Sequence, residues 1–185
     1  MKLSRWVTPL LASAVFLAGC GSIANRTSPA GMPQEVFDKT DTGVIILSTG
    51  AASSCISEAT YLVTYDAASR KPTNAAGIFV DNANHPTDFS GHYGTVNAVH
   101  FHPGSYYFSP RIANPFAQTV KAPEFPFVVN AGETVYLGEI FMPKSCSLNT
   151  RFEVNDFEER DLKRARELNP AIDRRPVTKR LIQAP

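Results

Sequence analysis

The chain has 185 residues, with 18 basic and 17 acidic side chains, a formal charge of +1, and 43% hydrophobic residues. That length and apolar content fit one domain with a sizeable core. The near-neutral balance offers no basic excess to drive attachment to nucleic acid or anionic lipid through counterion release, so nucleic acid is excluded as a partner.

Lys2 and Arg5 open the chain, Trp6 to Phe16 form an apolar run, and Leu17-Ala18-Gly19 lead into Cys20. This is the layout of a secretory signal, and the run is well short of the ~20 residues of a spanning helix. Leu-Ala-Gly-Cys resembles the lipobox of bacterial lipoproteins. The resemblance implies that residues 1–19 are a signal peptide that is removed, and that Cys20 takes a diacylglyceryl group and an N-terminal acyl chain such as palmitate. Cys20 is then the only attachment to the membrane. Gly21 stands where that family commonly carries an Asp as an inner-membrane retention signal, which implies the outer membrane, facing the periplasm. Because Lys2 and Arg5 leave with the leader, the mature chain keeps 16 basic against 17 acidic residues. It also contains no tryptophan, since Trp6 is the single one. Cys55 and Cys146 remain as the one candidate intramolecular disulfide in an oxidising compartment. Closing a loop of about 90 residues stabilises by roughly 4–5 kcal/mol in the chain-entropy model. The other reading is two unpaired buried thiols.

Residues 20–40 read as the lipidated cysteine and a flexible tether, rich in Gly, Ser, Pro and small side chains. About 15 such residues reach roughly 20 Å r.m.s., enough to hold a domain clear of the headgroups. The domain itself is expected over 41–185. Strands are predicted at Gly43–Ser48, Glu58–Tyr65, Ile78–Val80, Thr95–Phe101 and Tyr106–Phe108. In Glu58–Tyr65, Ala59, Tyr61, Val63 and Tyr65 share one side, and Thr60, Leu62 and Thr64 the other. Pro103-Gly104 makes a tight turn, and the stretch Phe101–Phe108 resembles the Pro-Gly-x-Tyr hairpin of transthyretin-like and carboxypeptidase-regulatory-like β-sandwiches. A long connection over 110–124 carries Phe116.

Phe125–Val129 and Thr134–Met142 read as a second hairpin around Asn130–Glu133, with Gly132 in the left-handed region. The outgoing strand is apolar on both faces, Val135, Leu137 and Phe141 on one and Tyr136, Ile140 and Met142 on the other. Its second face therefore needs a cover, and Gly138 marks a bulge or a close neighbour. Leu148–Val154 alternates as the last strand. One helix follows at about 155–168, with Asn155 as cap, Glu158 three residues on, and Asn169-Pro170 as its end. Phe157, Leu162, Ala165 and Leu168 share an arc with Asp161. A carboxylate aimed at a packed surface needs a donor, an Arg or a Tyr hydroxyl, and Asp161 is read as structural. The tail, Pro176 to Ile182, is expected extended against the domain.

The fold class is mainly β: an antiparallel β-sandwich of about seven strands with one C-terminal α-helix. All four histidines lie between 85 and 102. His100 and His102 share a face if the strand is regular, and His92 or His85 on the preceding loop could complete a zinc or copper site. The bland alternative is a solvent-facing pair. Most aromatics are expected in the core, with Phe89, Tyr93 and Phe116 as loop-side candidates for contacting a partner. No serine-hydrolase elbow, metalloprotease helix or phosphate loop occurs, and Glu133 and Glu139, six apart, are too distant for paired-carboxylate chemistry. The expected function is thus a lipid-anchored, non-enzymatic envelope protein presenting its sandwich surface to a protein partner. The rivals are a periplasmic metal or small-ligand binder using His85, His92, His100 and His102, and an envelope hydrolase.

Overall fold

In a computed structural model, residues 26–54, 59–80, 86–91, 93–112, 122–144 and 151–184 are described. Among the described residues, nine strands form two sheets: β1 (Gly43–Ala51), β2 (Thr60–Asp66), β3 (Ile78–Phe79), β4 (Tyr93–Phe101), β5 (Gly104–Ile112), β6 (Phe125–Val129), β7 (Thr134–Met142), β8 (Glu153–Asn155) and β9 (Val177–Lys179). The larger sheet runs β4-β1-β7-β8, with β9 also paired to β7, and the smaller runs β3-β2-β5-β6. One α-helix, α1 (Glu158–Leu168), lies near the C-terminus. The molecule is thus mainly β and sandwich-like, with nine strands where about seven were expected. The larger sheet is mixed, not antiparallel throughout: β1 pairs parallel with β7, and β7 parallel with β9.

Both expected hairpins are corrected. β4 and β5 flank the Pro103-Gly104 turn, yet β4 pairs with β1 while β5 pairs with β2 and β6. Likewise β6 and β7 belong to different sheets. Each turn carries the chain over the sandwich edge from one sheet to the other. This arrangement buries Phe101 against Tyr106 and Phe127, with ring centroids 4.9 and 5.7 Å away, where a flat hairpin would leave those rings side by side on one surface.

Side chains of β1 fill two separate cores. Ile45 and Leu47 face the smaller sheet with Leu62, Phe108, Phe125 and Leu137. Val44 and Ile46 face the other way, where Leu162, Ala165, Ile172, Met32, Val36 and Phe37 cover them. The cover that β7 requires is therefore broader than one helix: α1 shares it with 3₁₀ turns at Pro29–Gly31, Gln34–Asp38 and Pro170–Arg174. Residues 27–38 fall within the stretch read as tether, but Phe37 is 1% exposed. Asn169 donates its amide to the carbonyls of Pro29 and Met32, so this segment is packed structure. Three apolar residues spaced over six positions carry that outcome, a signal too brief to show as a period.

Gly138 is at φ +95°, and the β1–β7 register slips between Ile46 and Ser48 beside it. The bulge reverses the alternation, so Ile140 and Met142 join Val135 and Leu137 in the inter-sheet core. This corrects the expected face assignment. A Cβ at Gly138 would sit 3.0 Å from the Asn155 carbonyl oxygen, so the position is both a bulge and a close approach. Gly132 is also left-handed, at φ +70°. The tail lies extended as expected, through β9 and the buried Ile182.

Candidate functional site

α1 begins at Glu158, not near 155. Asn155 belongs to β8, so it does not cap the helix and donates its amide to Glu139 instead. Phe157 takes the cap position without a side-chain bond, and the Glu158 N–H is met by Asp156. Asp161 then points into the second core with no exposure. Tyr136 and Ser48 donate their hydroxyls to its Oδ2, at 2.7 and 2.5 Å, and Arg160 donates to Oδ1 at 2.8 Å. The Tyr and Arg donors that the helix pattern required are both present. Arg160 also reaches Glu139, 1% exposed, at 2.8 Å, so one guanidinium bridges two buried carboxylates. Its faces are covered by Phe89 at 3.8 Å and Phe157 at 4.3 Å. Phe157, assigned to the apolar arc, is 42% exposed for this reason: it stacks on a cation. Burial pushes the Asp161 carboxyl up from its ordinary value, against the hydrogen bonds from Ser48 and Tyr136 and the Arg160 charge. Burial, with the Asp161 charge beside it, also raises the Tyr136 hydroxyl. All four carboxylate oxygens of Asp161 and Glu139 have donors, which is the arrangement of a clasp joining helix and sheet.

A second group lies on the outer face of the smaller sheet. Pairings Tyr61↔Arg111, Val63↔Ser109 and Tyr65↔Tyr107 align these residues on the side away from Leu62 and Phe108. Their order in space is a ladder. Arg70 stacks over Tyr107 at 4.7 Å, Tyr107 stacks on Tyr65 with centroids 5.2 Å apart and planes 9° off parallel, and Arg111 lies over Tyr65 at 5.5 Å. Arg111 also donates twice to the Tyr65 hydroxyl. Arg70 is held by Glu124, but Arg111 has no ion pair among the described residues. Tyr61, tilted against Phe79, and Val128, 44% exposed, flank the ladder. The expectation that strand aromatics fill the core is therefore corrected for Tyr61 and Tyr65: in β2 the buried side is Thr60, Leu62 and Thr64. Alternation had separated the two faces but could not say which one turned inward.

His100 and His102 are both exposed and line one cleft of about 550 Å³ on the outer edge of β4. Its other walls include Arg26, Met32, Asn74, Ala76 and Tyr106. His92 and His85 lie outside the described residues, and among the described residues no three His, Cys, Asp or Glu side chains are grouped to hold a metal. Cys20, Cys55, Cys146 and Phe116 are likewise outside. Of the other loop-side aromatics, Phe89 is buried under Arg160 and Tyr93 is 41% exposed. No helix among the described residues is long and apolar enough to cross a membrane. No family model and no curated protein matches this chain.

Proposed function

We propose that this chain is a lipid-anchored, non-enzymatic protein of the cell envelope that binds a protein partner through the outer face of its smaller sheet. The observation that carries the reading is the Arg70–Tyr107–Tyr65–Arg111 ladder with Tyr61 and Val128 beside it. Tyrosine and arginine are the residue types enriched at the energetic centres of protein interfaces, because they offer large, stiff contact area with a polar end. Here their rings are already stacked on a rigid sheet, so little side-chain entropy remains to be lost on docking. Arg111, which has no ion pair among the described residues, suits a partner that presents an acidic side chain. Anchoring at Cys20 rests on the Leu17–Cys20 motif and its leader.

Site-specific photo-crosslinking in intact cells tests this. A crosslinker at Val128 should give one discrete protein adduct, which Arg111→Glu and Tyr65→Ala each reduce at least several-fold while the variants keep their circular dichroism. No adduct, or one indifferent to both substitutions, refutes the reading.

A further inference from the structure

The chain becomes fixed much closer to Cys20 than its composition suggests. Thr27 is 2% exposed. Its carbonyl accepts from the Ala98 N–H on the outer edge of β4 at 2.8 Å, and its hydroxyl donates to Asn97 at 2.7 Å. From there Pro29, Met32, Val36 and Phe37 are buried in turn. The span between the cysteine and Thr27 is thus short. Seven Cα steps, from residue 20 to residue 27, extend to roughly 25 Å at most. A lipid-bearing cysteine starts at the hydrocarbon boundary, and the headgroup layer takes up about 5–8 Å of that length. Some 17–20 Å then remains above the headgroups at full stretch, against a domain roughly 35–40 Å across. The span cannot run around the molecule, so the side where Thr27 emerges must turn toward the bilayer.

That side is the cleft. Arg26 and Thr27 form its wall together with His100 and His102, and Arg26, His100 and His102 are all exposed. We infer that the β4-edge cleft is a membrane-facing surface, held against the phospholipid headgroups of the bilayer that carries the anchor, with Arg26, His100 and His102 as the groups facing lipid phosphate. This rests on the anchoring at Cys20 proposed above. It replaces the picture of a domain swinging on a long tether, and it gives the histidines a setting other than a metal site. None of the ladder residues Arg70, Tyr107, Tyr65 and Arg111 lines this cleft.

The lack of tryptophan in the mature chain supplies the test. Single reporters are introduced as Asn74→Trp, in the cleft wall, and Glu153→Trp, an exposed position on β8. By strand spacing and register, β8 at Glu153 lies roughly 20 Å from β4 at Ala98. The mature, lipidated variants are reconstituted in phosphatidylethanolamine–phosphatidylglycerol vesicles containing a lipid with a nitroxide on its headgroup. Quenching of the Asn74→Trp protein should exceed that of the Glu153→Trp protein several-fold, and a long Gly-Ser insertion after Gly21 should remove most of the difference. Equal quenching, or stronger quenching at 153, in protein whose lipid is confirmed by mass spectrometry overturns the inference and leaves the anchor standing. An amino terminus without lipid in the native protein overturns the anchor and this inference with it.

Discussion

Replacing Asp161 with Ala tests the clasp between α1 and the larger sheet. The substitution leaves the Ser48 and Tyr136 hydroxyls, both on fully buried residues, without the acceptor they share. An unsatisfied buried hydroxyl costs about 1–3 kcal/mol, and removing one partner from a buried ion pair costs about 3–5 kcal/mol. These are alternative views of one event and do not add. Arg160 keeps Glu139 and is itself 30% exposed, so its charge stays compensated and partly solvated. The expected loss is therefore at the low end, about 3 kcal/mol, or roughly 6–12 °C in Tm for a domain of this size. Urea unfolding followed by far-ultraviolet circular dichroism measures it. The pH dependence supplies a second arm. Burial raises the folded-state Asp161 carboxyl above its value in the unfolded chain, so the folded form holds that proton more tightly. Its contribution is then fully present below the ordinary carboxyl range, near pH 4, and is lost as pH rises through the elevated folded value. The stability difference between the native protein and Asp161→Asn should shift against the native protein over that rise. A loss below about 1 kcal/mol for Asp161→Ala would refute the clasp, and a native–Asn difference indifferent to pH would refute the burial-raised carboxyl.

Gly138→Ala should destabilise by at least about 2 kcal/mol, because alanine is strained at φ +95° and its Cβ would crowd the Asn155 carbonyl; denaturant midpoints check this. Phe37→Ala should cost about 3–5 kcal/mol, whereas a residue of a true tether would cost almost nothing, so thermal melting separates packed segment from leash. Purified mature protein should emit tyrosine fluorescence without a tryptophan band, and emission characteristic of Trp6 would show that the leader is retained.

Much of the local detail was legible because it follows from properties of single residues. Gly132 and Gly138 take backbone conformations that a Cβ resists, and both were found at the turn and bulge expected. The doubly apolar pattern of β7 demanded a cover, and the position of Asp161 within the apolar arc of α1 demanded a donor. Strand runs survived for the same reason, since β-branched and aromatic residues favour a pleated, half-buried surface wherever it lies.

Pairing was another matter. Hydrogen bonds between strands join backbone to backbone and carry little residue identity, so a tight Pro-Gly turn served equally for a hairpin or for the crossing from β4 to β5. Only competition among complete packings decided for the crossing, with Phe101, Tyr106 and Phe127 stacked in the inter-sheet core. The ladder was hidden for a related reason: alternation groups Tyr61 with Tyr65, but Arg111 and Tyr107 come beside them only through the β2–β5 register. The sequence by itself determined that this chain makes β-strands, one amphipathic helix and a buried carboxylate in need of partners. Tertiary structure alone decided which faces turn inward and that residues 27–38 pack as part of the domain, because burial is shared between segments distant in sequence and no single segment encodes it.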